Sequence, residues 1–175
     1  ATCILTDSSA QFLNEDLNHY EHLVVVPHRL VIDADTFPDT QDAGLLQHLA
    51  STGDLSQITV EAPSSEAFRQ ALSQLSQKYQ NIVMILLSSQ LSQAYENALH
   101  AAYLMRGAAS IQVIDSQSIG AGLGMLVQIA VEANEASSQP TQINRLVRGM
   151  IPHIYSIFCL QSLNNLAHAG HLDPA

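Results

Sequence analysis

With 16 acidic and 6 basic residues among 175, the chain carries a formal net charge of −10. That balance argues against nucleic acid and anionic membrane surfaces as partners, since both ask for clustered Lys and Arg. Hydrophobic residues make up 47% and charged ones only 13%, so a sizeable core is within reach, and part of the surface is expected to lie against a partner or a further segment.

In chain order, Cys3-Ile4-Leu5-Thr6 reads as a short apolar strand closed by Asp7-Ser8-Ser9, side chains suited to a turn or a cap. Gln11 to Tyr20 has the spacing of a helix. Leu23 to Ile32 is strand-rich, with a bend at Pro27. Asp33 to Thr36 reads as a turn, Phe37 to Asp42 as a polar loop and Ala43 to Ala50 as a short helix. Ser51 to Pro63 is a connection, and Ser64-Ser65-Glu66 opens a helix that runs through Phe68, Leu72 and Leu75.

Ile82 to Leu87 is an apolar run without alternation, as expected of a parallel strand buried on both faces. Ser88-Ser89-Gln90-Leu91-Ser92 follows at once, and from Leu91 to Met105 the apolar residues recur at three and four, the period of a helix. Ile111 to Ile114 is another buried strand closed by Asp115-Ser116. Ser118 to Ala136 and Ile143 to Met150 read as helices, Ile154 to Leu160 as a strand and Gln161 to His168 as a last helical turn. Strands alternating with helices imply crossover connections, hence an α/β fold with a mostly parallel sheet flanked by helices. Residues 1–150 are expected to form one lobe and 151–175 the start of a second, truncated one.

Open α/β sheets bind ligands at the carboxyl ends of their strands, so Ser88, Ser89 and Ser92 can either cap a helix or hold a ligand there. A carboxylate at a helix N-terminus would gain from both a hydroxyl and the unpaired N–H groups. Gly120 to Gly124 does not have the dinucleotide spacing; its glycines let a helix pack closely. The pairs His19/His22 and His168/His171 lack the Cys or acidic partners of a zinc site, so no metal is expected. Asp7, Asp39, Asp42 and Asp115 could converge at one sheet edge as an acidic pair, although turn and cap roles explain each singly. Cys3 and Cys159 show no metal or redox spacing and read as buried, reduced thiols of a cytoplasmic protein. No apolar stretch reaches the ~18 residues of a membrane span, so an integral membrane protein is not expected.

Several segments resemble the DegV family of bacterial fatty-acid-binding proteins. They are Ile4 to Ala10; Val24 to Pro27 with Asp39 to Asp42; Leu87 to Tyr95; Val113 to Ser116 with Gly120 to Gly124; and Leu163 to Leu172. The resemblance implies an acyl carrier without catalysis of its own or any cofactor, holding a long-chain fatty acid between two lobes for a partner fatty-acid kinase subunit. It makes Ser89 a carboxylate contact. It places Val60 where the family has a contacting threonine, with Thr59 one residue away as a substitute. Gln93 replaces a loop glycine and His171 an arginine. The candidate fatty-acid contacts are therefore Ser89, Val60, Thr59, Ser88, Ser92 and Gly120. The alternative is an enzyme or small-metabolite site, for a phosphate ester or similar, at the same strand ends. A third reading is a regulatory lobe that has lost its ligand.

Overall fold

The computed structural model describes residues 1–14, 17, 19–32, 35–39 and 58–157. Along them run β1 (Thr2–Asp7), β2 (Leu23–Val26), β3 (Arg29–Ile32), β4 (Asp35–Pro38), β5 (Ile58–Glu61), α1 (Ser65–Leu75), β6 (Asn81–Leu86), α2 (Ala94–Leu104), β7 (Ser110–Asp115), α3 (Ala121–Glu135) and α4 (Pro140–Met150). A 3-10 turn, Ile151–His153, follows.

β2, β1, β6 and β7 form a parallel sheet in that order, so the two most apolar strands are central. Side chains alternate across a strand, and here both faces are covered. On one face Ile4, Val83, Ile85 and Ile114 pack with Leu123, Leu126 and Val127 of α3 and Ile143 and Val147 of α4. On the other, Cys3, Leu5, Ile82, Met84 and Leu86 pack with Phe68, Leu72 and Leu75 of α1 and Ala94, Ala98 and Ala101 of α2. Each large side chain removed from water this way contributes roughly 1.5–3 kcal/mol. Cys3 is buried here as expected, and burial pushes its thiol pKa up to about 12. Cys159 lies outside the described residues.

α1 begins where the sequence indicates. Ser64 Oγ accepts the Ala67 N–H at 3.1 Å, an N-cap with Glu66 in the first turn. Ser64→Ala is expected to cost about 1 kcal/mol in a urea denaturation series, the ordinary worth of such a cap.

Three expectations are corrected. First, β3 does not continue the parallel sheet beyond Pro27. It pairs antiparallel with β4 and β5 in a separate sheet of order β4-β3-β5, with Leu30 opposite Phe37 and Val60. Pro27 has no N–H for a ladder, so pairing stops there, and the two partners come from stretches read as a turn, a loop and a connection. Second, residues 11–14 are not helical. The Gln11 N–H goes to Gly120 O and the Gly120 N–H to Ser9 O, so this backbone is paired across space and not up a helix. Third, Ile154 to Ile157 form no strand.

Helix starts also shift. α2 opens at Ala94, leaving Leu91 exposed in the loop, and α3 opens at Ala121. The helices expected at 43–50 and 161–168 lie outside the described residues. The described part of the expected second lobe is the 3-10 turn and residues 154–157.

Candidate functional site

Parallel strands deliver their carboxyl ends to one edge, and in this chain each end is polar. β1 exits through Ser8-Ser9, β2 through Pro27-His28, β6 through Leu87-Ser88-Ser89 and β7 through Ser116.

Asp7 ties two of these ends together. It is 0% exposed; Oδ2 accepts the Leu87 N–H at 2.8 Å, and Oδ1 accepts the Ser9 N–H at 3.0 Å and the Ser9 hydroxyl. His28, 3% exposed, lies beside it with Nδ1 at 3.8 Å from Asp7 Oδ1. Ser8 Oγ donates to Asp39 Oδ2 at 2.9 Å and accepts the His28 N–H at 2.9 Å. Its single proton is thereby committed, so in the 3.2 Å contact with His28 Nδ1 the ring nitrogen donates. The other ring nitrogen, Nε2, is buried and has no hydrogen-bond partner among the described residues. Ser8 and Asp7 thus both sit on Nδ1. A serine nucleophile relay needs them on opposite ring nitrogens, so this cluster is not one.

The serine loop is built differently. Ser89 Oγ donates to Asp115 Oδ2 at 2.6 Å, while Asp115 Oδ1 accepts the N–H groups of Ser89 at 3.1 Å and Gln117 at 3.0 Å. The Ser89 hydroxyl therefore faces a carboxylate and does not cap α2, which starts five residues later. Ser92 is nearer that task, its Oγ accepting the Ala94 N–H at 3.2 Å. Ser88 is buried; its N–H goes to Ser118 O at 3.1 Å, joining the loops after β6 and β7.

α3 closes the site. Gly120 holds φ +62° and ψ −129°, a conformation that favours glycine, and turns the chain into the helix. A groove of about 950 Å³ opens beside this N-terminus, lined by Ser9, Asp39, Gly120, Met125, Ile154 and Tyr155 among others. Its wall is more apolar than polar; Ser8, Ser9 and Asp39 line it from the sheet edge, and His153, Tyr155 and Ser156 from the segment after α4.

Of the six residues singled out, Gly120 lines this groove. Ser88, Ser89 and Ser92 sit on the adjoining loop. Thr59 and Val60 lie instead on β5 of the antiparallel sheet, Val60 60% exposed. That strand's exit is fastened to α2, with Asn97 Nδ2 donating to Pro63 O at 2.9 Å and Ser65 Oγ donating to Asn97 O at 3.0 Å. Of the acidic residues, Asp7 and Asp39 meet around Ser8 and His28, and Asp115 serves Ser89. Asp42 lies outside the described residues, as do His168 and His171.

His28 was missed by sequence reasoning. Its signal is a histidine directly after the proline that ends an apolar strand. His22 contacts Tyr79 Oη at 3.0 Å through Nδ1, at the opposite end of the sheet. Among the described residues no group of three His, Cys, Asp or Glu could hold a metal.

The fold and this edge define an open α/β lobe of the type that receives small molecules where its parallel strands end. The chain belongs to the DegV family, whose model, described as an uncharacterised protein family, matches residues 1–175. A DegV domain-containing 15.5 kDa protein of Staphylococcus aureus is 32% identical over 129 residues, covering 74% of this chain and 90% of its own length. A solved DegV family protein from Ruminococcus gnavus ATCC 29149, refined with vaccenic acid, shares the fold at a TM-score of 0.79 with 19% identity, over 97% of this chain and 61% of its own. A DegV family protein from Thermus thermophilus, described for its fatty acid binding, matches at a TM-score of 0.74 with 22% identity, over 86% of this chain and 53% of its own. The chain thus spans between half and two thirds of those solved chains. No helix among the described residues is long and apolar enough to cross a membrane.

Proposed function

We propose that this chain is the acyl-binding lobe of a fatty-acid carrier. The tail would lie in the groove beside the N-terminus of α3, and the head group would face the hydroxyl edge formed by Ser9, Ser89 and their neighbours. The observation that carries this reading is the groove itself. It is a trough more apolar than polar, with Ser8, Ser9 and Asp39 by the strand ends and His153, Tyr155 and Ser156 after α4 among its polar lining, in a chain whose solved relatives hold fatty acids.

The energetics agree with a carrier. Burying an alkyl tail contributes roughly 0.8 kcal/mol per CH₂, so ~14 methylenes contribute about 11 kcal/mol before association costs. Head-group hydrogen bonds add roughly 1–3 kcal/mol. The tail sets affinity and the edge sets orientation. A carrier of this kind would turn nothing over itself; it would present the acid to a separate fatty-acid kinase subunit in the cytoplasm. Val60 offers no hydroxyl, so in this reading Thr59, Ser88 and Ser92 are at most secondary contacts.

Solvent extraction of the purified chain followed by mass spectrometry is expected to release a long acyl chain; an extract without one would count against the reading. Ser89→Ala is expected to weaken binding of a fluorescent fatty acid by about 1–3 kcal/mol, with the melting temperature little changed. Unchanged affinity would remove Ser89 from the site.

A further inference from the structure

α2 departs from the usual division of a surface helix into an apolar and a polar side. Its inner side is Ala94, Ala98 and Ala101, fully buried against the sheet. At about 100° per residue, the positions on the opposite side are Glu96, Leu99 and Tyr103. All three are exposed, Leu99 at 37% and Tyr103 at 59%. Leu104, also exposed, lies beside them. The neighbouring helix α1 covers the same face of the sheet and shows the ordinary pattern: its exposed positions are Glu66, Arg69, Gln70 and Gln74.

Glu96, Leu99, Tyr103 and Arg106 follow one another at intervals of three, four and three, the seam spacing of two packed helices. Arg106 comes just after the end of α2, and its guanidinium is brought back over the Tyr103 ring, 4.3 Å from the centroid. The seam therefore reads acid, aliphatic, aromatic, base. Turned end for end, it is its own complement. Laid antiparallel on itself about a two-fold axis between Leu99 and Tyr103, it sets Leu99 against the partner's Tyr103 and Glu96 against the partner's Arg106. A parallel arrangement would set like charges side by side. Among the described residues Glu96 makes no ion pair, and a guanidinium stacked on a ring keeps its in-plane N–H groups for a carboxylate.

We propose that the outer side of α2 is a docking surface for a second copy of this chain, joined antiparallel through Leu99 and Tyr103 and held in register by reciprocal Glu96–Arg106 pairs. The inference does not rest on the acyl reading. α2 and the groove beside α3 lie on opposite faces of the sheet, so such a dimer leaves the groove open. A helix of 11 residues is about 16 Å long. The contact is therefore at the small end of protein interfaces, and the dimer is weak and concentration-dependent. The net charge of −10 opposes self-association at long range, so the local pairing of opposite charges is what fixes the register.

Sedimentation equilibrium of the whole chain between about 5 µM and about 500 µM, the range of weak association, is expected to show monomer and dimer in exchange. Leu99→Asp should raise the dissociation constant about tenfold or more, with the urea midpoint of the monomer little changed. Glu96→Arg and Arg106→Glu, each alone, set like charges opposite one another and should each weaken the homodimer about tenfold. Mixed in equal amounts, these two charge variants should associate again, because every pair in the mixed dimer is then of opposite sign. That rescue separates the pairing from any effect on folding. A chain that stays monomeric throughout this range overturns the proposal and leaves the outer side of α2 to a partner of other sequence. A dimer indifferent to all three substitutions, or charge variants that do not rescue one another, overturns it as well.

Discussion

Asp7→Ala is expected to lower the stability of the chain by about 4 kcal/mol, read as a fall in the urea midpoint with an unchanged slope. The carboxylate is wholly buried, and the groups it serves do not lie on its own strand alone. Removing it leaves the Leu87 N–H without its acceptor and frees the Ser9 N–H and hydroxyl. A buried donor left unpaired costs roughly 1–3 kcal/mol, and bonds to a charged acceptor lie at the upper end. Domains of this size hold only about 5–15 kcal/mol in total, so much of the margin would go. Asp7→Asn retains one acceptor oxygen and should lose less. A loss below about 1 kcal/mol in the alanine variant would show that Asp7 does not fasten the ends of β1 and β6.

Gly124→Ala is expected to cost about 3 kcal/mol, against the usual preference of a helix for alanine over glycine. A Cβ at this position would lie 1.9 Å from the Gln11 carbonyl oxygen and 2.7 Å from its carbon. Backbone cannot swing aside as the end of a side chain can. The Ala10-Gln11 segment would have to leave Gly120, breaking the bonds from Gln11 N to Gly120 O and from Gly120 N to Ser9 O. Since Gly120 and Ser9 both line the groove, ligand binding should suffer along with stability. Gly149→Ala is the control. A Cβ there meets nothing within 4 Å, so the same substitution in α4 should be neutral or stabilising, by up to about 1 kcal/mol. Equal effects at the two positions in a thermal melt would show that the approach of α3 to Gln11 does not govern the difference.

These two residues show how differently the parts of the molecule could be read beforehand. Asp7 was visible as a polar residue closing an apolar strand, and its convergence with other strand ends was foreseeable from the parallel topology. Its acceptance of the Leu87 N–H, 80 positions away, was not. Gly124 was visible as a small residue that would let a helix pack closely. That the close neighbour is a carbonyl of a loop read as helix was not. Ser89 was read as a helix cap or a ligand contact at the end of its strand; its bond to Asp115 on the neighbouring strand was not foreseen. His28 carried no periodicity, and only its place directly after Pro27 marked it.

The chain's own residues determined the layered α/β plan. Uninterrupted apolar runs at Cys3 to Leu5 and Ile82 to Leu87, alternating with helical periods, leave few ways to cover both faces of a sheet. Local chemistry likewise determined the cap at Ser64. Tertiary structure alone decided where β3 to β5 pair, where residues 11–14 find their hydrogen bonds, and which way each serine proton points. Those outcomes depend on backbone and carboxylate groups brought together from distant positions, and no local pattern of polarity records them.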